Sequence, residues 1–100
     1  MSSMAYRYKF DEKVDLAEAE DTLLLSILAA EGIYGQARVR MDCRYAVDST
    51  IGVILLDASS DVGQDVAGIF TAFLTKEFGP RHFHVCRVEL LAGGRREVRG

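Results

Sequence analysis

The chain has 100 residues, 49% of them hydrophobic and 27% charged, with a formal net charge of −3. This length suits one domain with a single core, and the net charge excludes a protein that binds nucleic acid by its overall charge. The longest apolar stretch, residues 23–30, is far shorter than the roughly 20 residues of a membrane helix. Because no apolar signal core stands at the N-terminus, we expect a cytoplasmic protein without a membrane partner.

The first predicted element is a half-buried strand. Over residues 6–10, aromatic side chains alternate with cationic ones, and a period of two is typical of a strand with one face in the core. We expect the aromatic side chains to point inward, because the opposite choice would bury two cations. Arg7 and Lys9 are therefore expected on the outer surface of the sheet.

A long helix is predicted to follow this strand. Asp15 and Glu18 form a capping box, which marks a helix start, and Gly32 stands where the residue after a helix end often adopts a positive φ. Aliphatic residues recur at helical spacing and predict a wide buried stripe. They are Leu16, Ala19, Leu23, Leu24, Ile27, Leu28 and Ala30.

A long strand is predicted next. Apolar and charged residues alternate over residues 37–47, which predicts a strand that shows a basic face on one side. Its basic residues are Arg38, Arg40 and Arg44. We expect them on the same outer surface as the cations of the first strand.

The third predicted strand, residues 51–56, is almost wholly apolar, as in a strand that is covered on both faces. Its register against the second strand decides which side chains leave the core, since a shift of one residue exchanges the two faces. A two-residue turn sends the odd-numbered aliphatic residues outward, and a three-residue turn sends the even-numbered ones outward. The candidates are Ile51, Val53, Ile54, Leu55 and Leu56.

A second helix and a last strand complete the domain. Asp61 marks the helix start and Gly79 its end, and residues 82–90 are predicted to form the strand. We expect one domain over residues 1–91 and a flexible basic tail over residues 92–100. The predicted buried stripe of the second helix consists of Val62, Val66, Ile69, Phe70, Phe73 and Phe78.

This order of elements, strand–helix–strand–strand–helix–strand, resembles the ferredoxin-like fold. The resemblance covers residues 5–91 and implies an α+β two-layer sandwich, with an antiparallel sheet of strand order 4-1-3-2 and both helices on one face. It is a resemblance of fold, and a fold does not assign a function.

The helix-free face of this sheet is the surface that the sequence makes unusual. A central row of aliphatic residues flanked by basic ones is a patch of the kind that marks an interface. We therefore predict a non-enzymatic interaction module that forms a homodimer, with another protein partner or coverage by the chain itself as alternatives. The predicted interface residues are Arg7, Lys9, Arg38, Arg40, Arg44, Ile51, Val53, Ile54, Leu55 and Leu56.

Two other functions have some support in the sequence. The basic face could bind an anionic ligand or nucleic acid, although inward aromatic residues would leave no platform for base stacking.

His82, His84 and Cys86 alternate along the last strand and are weak candidates for a metal or redox site. No further ligand is obvious, Asp11 being the nearest candidate, so we predict no cofactor. Cys43 is expected on the opposite edge from Cys86, about 14 Å away, so both should be free thiols.

No residues present themselves as catalytic. A nucleophile needs a base within hydrogen-bonding reach, and the sequence places no histidine to meet the serines before the second helix. The pattern therefore favours a non-enzymatic protein over an enzyme.

Overall fold

Three helices and five strands make up the part of the chain that the structure, a computed structural model, describes, namely residues 3–91 and 94–97. Among these residues, no helix combines the length and the apolar character that crossing a bilayer requires. In chain order the elements are β1 (Ser3–Phe10), α1 (Leu16–Tyr34), α2 (Gln36–Asp42), β2 (Tyr45–Asp48), β3 (Val53–Asp57), α3 (Asp61–Phe78), β4 (Phe83–Leu91) and β5 (Gly94–Glu97).

The strands form one antiparallel sheet in the order β2-β3-β1-β4-β5. Read from β4 to β2, the first four strands follow the predicted 4-1-3-2 order, so the α+β class and this strand order are confirmed. The fifth strand pairs residues 94–97 with β4 and falls within the predicted tail. Residues 92, 93 and 98–100 of that tail lie outside the described residues.

Alternation along β1 places one of its faces in the core, as predicted. Tyr8 and Phe10 are buried among residues of α1 and α3. The Tyr8 ring packs against Phe70 of α3 with 4.8 Å between the ring centroids, and its hydroxyl donates to the Ala67 carbonyl at 3.2 Å. We call this the inner face of the sheet, and the opposite face, which carries Lys9, the outer face.

The register of β3 decides which of its aliphatic residues reach each face. Val47 of β2 stands opposite Ile54, and Asp48 stands opposite Val53. The loop is therefore longer than either predicted turn, but the faces are those of the two-residue turn. Even-numbered residues of β3 point inward and odd-numbered ones point outward.

The predicted strand over residues 37–47 is wrong in its first six residues, which belong to α2. Gly35, with φ of 88°, ends α1, and the chain at once begins another helix. Residues 36–42 are rich in good helix formers, and Arg38 pairs with Asp42 at 3.6 Å across one helical turn. Val39 is the buried residue of α2, so the alternation of apolar and charged residues did not mark a sheet face.

Helix ends were predicted with partial success. The Asp15 side chain accepts a hydrogen bond from the Ala17 amide at 3.0 Å, which confirms it as the N-cap of α1. The predicted end at Gly32 is wrong, because α1 runs on to Tyr34. Ser60, one residue before the predicted Asp61, caps α3.

Candidate functional site

The strand register arranges the outer face in rows that run across the sheet. One row consists of Asp48, Val53, Lys9 and His84, from β2, β3, β1 and β4 in turn. Directly opposed residues of antiparallel strands share a face. An acidic residue, a valine and a cation therefore stand side by side on this row.

A second row runs parallel to the first. It consists of Ala46, Leu55, Arg7 and Cys86. Ala46 is exposed, and the other three are half-buried. The two rows together carry acidic and apolar groups on β2 and β3, and basic groups on β1.

The apolar part of the outer face is only partly open to solvent. Val53 is 1% exposed, and Leu55 is half-buried. Both line an open depression of about 360 Å³ beside β2. The Lys9 ammonium donates to the Ile51 carbonyl, so this side chain reaches from β1 to the loop before β3.

Three of the predicted aliphatic interface residues do not lie on the outer face. Ile54 and Leu56 are fully buried in the core between the sheet and the helices, because the register turns even-numbered residues inward. Ile51 precedes β3 and is 39% exposed in the loop. Among the five, the outer face therefore contains Val53 and Leu55.

The predicted basic interface residues do not all lie on the outer face. Arg7 and Lys9 lie on the outer face as predicted, whereas Arg38 and Arg40 lie on α2, because this segment is helical. The Arg38 guanidinium stacks over the Tyr34 ring at 4.9 Å. Arg44 is exposed in the segment before β2. The continuous basic band that an anion-binding surface would need is thus broken.

The weak metal candidates are not gathered around one point. The His82 ring nitrogen Nδ1 lies 2.8 Å from Asp11 Oδ2, at an open depression of about 590 Å³ that His84 also lines. This hydrogen bond lowers the pKa of the Asp11 carboxyl below its ordinary value. No group of three or more potential ligands occurs among the described residues.

Both cysteines are free thiols, as predicted. Cys86 lies on the outer face, and Cys43 follows α2 at its C-terminal cap. Burial raises the pKa of the Cys43 thiol. Because the thiolate is the reactive form, this environment makes Cys43 a poor nucleophile.

The sequence analysis missed an exposed apolar surface on the helices. Leu24, Leu25 and Leu28 of α1 are 47%, 59% and 61% exposed, and Phe73 of α3 is 41% exposed. We call these four residues the helical patch. Leu24, Leu28 and Phe73 were predicted to lie in buried stripes, and that prediction is wrong.

The helical patch is continuous because α1 and α3 lie side by side. Thr22 Oγ1 donates to Glu77 Oε1 at 2.7 Å, and the Tyr34 hydroxyl donates to Asp65, so the two helices run antiparallel. Leu25 and Phe73 line one depression of about 290 Å³ between them. The exposed fractions of its four side chains together equal about two fully exposed side chains. Burying this surface against a partner would contribute about 3–6 kcal/mol to the free energy of binding.

The rotation of α1 about its own axis explains why leucines are exposed. Its buried stripe includes Thr22 and Ser26. The Ser26 hydroxyl donates to the Thr22 carbonyl at 2.9 Å, and the Thr22 hydroxyl is within 3.1 Å of the Glu18 carbonyl. Because these hydroxyls are satisfied, their burial carries little penalty, and the leucines stay outside.

One sequence signal could have revealed this patch. Residues 23–30 of α1 are apolar at every position except Ser26, rather than along one stripe only. A surface helix buries a stripe about 100° wide, so the additional leucines had to lie outside the buried stripe.

Comparisons of the chain with protein-family models, curated proteins and solved structures find no significant match.

Proposed function

We propose that this chain is a small, non-enzymatic interaction module that forms a homodimer through the outer face of its sheet. The observation that carries the proposal is the row of Asp48, Val53 and Lys9. The acidic and basic ends of this row stand on either side of an apolar centre. Such an arrangement is complementary to itself.

Symmetry brings the opposite charges together. A two-fold axis that runs parallel to β3, between two stacked outer faces, sets β1 of one copy opposite β2 of the other. Lys9 then faces the Asp48 of the second copy, while Val53, at 1% exposure, is already buried and contributes little to the contact. The half-buried Leu55 and the exposed Ala46, on the next row, supply the apolar contact between the copies.

The same proposal includes a two-layer, ferredoxin-like arrangement with the outer face free of helices. Support comes from the strand order and from the core, which joins inner-face residues such as Tyr8 and Leu56 to the helices. A cytoplasmic location fits the two free thiols, since reducing compartments keep thiols unpaired.

A charge exchange tests the dimer. An exposed ion pair contributes about 0.2–1 kcal/mol, and each dimer contains two Lys9–Asp48 contacts. Lys9→Asp turns both into repulsions and should weaken dimerisation by about 1–4 kcal/mol in total, or roughly fivefold or more in Kd. Asp48→Lys should do the same, and the double variant should restore the dimer. Sedimentation equilibrium over a range of protein concentrations measures this.

Arg40→Asp is the matched control, because Arg40 is exposed on α2, away from the sheet. It should leave the dissociation constant unchanged. Asp48 also accepts a hydrogen bond from the Thr50 amide at 3.1 Å, so single variants could lose stability. Restoration of the dimer by the double variant is a readout that lost stability cannot imitate. A monomeric wild type, or equal dimerisation of all variants, would contradict the proposal.

A further inference from the structure

The helical patch carries an inference beyond dimerisation through the sheet. Asp21, Leu24, Leu25 and Leu28 all face outward from α1 and are spaced by three and four residues. Residues at this spacing are neighbours on a helix surface, and four of them form the hole that receives a side chain from a facing helix. The patch therefore contains a seat shaped for a helical partner.

A second seat follows the first along α1. Leu25 and Leu28 also border Ala29 and Gly32, which are exposed as well. Apart from the adjoining residues and backbone of α1 itself, no heavy atom lies within 4 Å of the point where a Cβ on Gly32 would stand. Small residues at a helix surface let a partner's backbone come close, since the distance between helix axes depends on the side chains at the contact.

The surface widens towards α3. Leu25 and Phe73 form the apolar part of the depression between the two helices. A groove between two antiparallel helices accepts the apolar side of a third helix, which is a recurring mode of peptide recognition. This continuity distinguishes the patch from isolated exposed leucines, which need no explanation.

Charge around the patch indicates which partner fits. Helix α1 carries four acidic residues and no lysine or arginine. Glu77 adds a further carboxylate at the depression, and Lys76 adds one cation. Two copies meeting through this surface would bring two acidic helices together, and juxtaposed like charges disfavour an interface. A partner with basic residues would instead be attracted.

We propose that the helical patch binds an amphipathic α-helix of another protein, with leucine-sized anchors on its apolar face and lysine or arginine on its flanks. The anchors occupy the two seats on α1 and contact Phe73. The basic flanks lie along Asp21 and Glu77. This surface is separate from the outer face of the sheet, so either binding activity can fail without the other.

A pair of synthetic helical peptides tests this. One carries leucine at two positions of each heptad with lysine on the flanks, and the other replaces every lysine with glutamate. Isothermal titration calorimetry on the full chain should show binding of the lysine peptide only. Leu25→Gln and Leu28→Gln should each weaken binding by about tenfold or more, and Gly32→Leu, which fills the second seat, should do so as well.

Met41→Gln is the matched control, because Met41 is 71% exposed on α2, outside the patch, and it should bind as the wild type does. Circular dichroism confirms that each variant is folded. If all variants bound the lysine peptide equally well, charge attraction alone would account for its binding, and the proposal would be overturned. It would also be overturned if the wild type did not bind the lysine peptide, or if Leu25→Gln changed the solution mass, which would make a second copy the occupant.

Discussion

Removing one hydroxyl from the core, by Tyr8→Phe, should change both the stability and its dependence on pH. The Tyr8 side chain is fully buried, and its hydroxyl shares a hydrogen bond with Thr71 Oγ1 at 2.9 Å. The hydroxyl of Thr71 also bonds the Ala67 carbonyl at 2.7 Å, so this carbonyl keeps a donor in the variant. At neutral pH we therefore expect a loss of about 1 kcal/mol.

The alkaline range gives the sharper result. Burial raises the pKa of Tyr8 from its ordinary value of 10.0 to about 12, because the phenolate would be charged in an apolar surrounding. A pKa raised in the folded state gives stability that is complete below pH 10 and is lost as the pH rises to about 12. Two pKa units correspond to about 2.7 kcal/mol. Wild type should lose this amount, and Tyr8→Phe should not.

Urea denaturation followed by circular dichroism, repeated between neutral pH and pH 12, measures the difference between the two proteins. The other tyrosines titrate in both, so the difference isolates Tyr8. The variant should be the less stable protein at neutral pH and the more stable one at the alkaline end, with a crossover between pH 10 and 12. Two curves that remain parallel would refute the assignment of a buried, neutral phenol.

Two further predictions concern single side chains. A Cβ on Gly63 would stand 2.2 Å from the Asp57 carbonyl oxygen, so Gly63→Ala should destabilise the fold by about 3 kcal/mol. Gly68→Ala in the same helix meets nothing within 4 Å and should stabilise it by about 0.5–1 kcal/mol; equal effects in urea denaturation would contradict the packing of α3 on β3. His82→Leu removes the hydrogen bond that lowers the pKa of Asp11. Carboxyl NMR titration should then show this pKa returning towards its ordinary value, and an unchanged pKa would show that His82 is not its cause.

The candidate surfaces were predicted unequally. The alternation in β1 placed Arg7 and Lys9 correctly on the outer face, because neighbouring residues of a strand must point to opposite sides. The same rule failed for Arg38 and Arg40. An apolar–charged alternation over a few residues fits a short helix with one buried position as well as a strand, and in α2 that position is Val39.

The sequence could predict that α1 has more apolar residues than it can bury, but it could not predict which of them form the helical patch. Residues 23–30 of α1 are apolar except for Ser26, which is more than one buried stripe can use. Which of them would be exposed depended on the rotation of the helix. That rotation follows from the contact with α3, where Thr22 is hydrogen-bonded to Glu77.

The sequence by itself determined the class of the fold, the inward aromatic residues of β1 and the start of α1 at Asp15, because steric alternation and capping act between residues close in the chain. Only the tertiary structure decided the register of β3, the helical state of residues 36–42 and the exposure of Leu25 and Leu28. Each of these depends on which distant segment a residue contacts, and the local periodicity of the sequence does not determine such contacts.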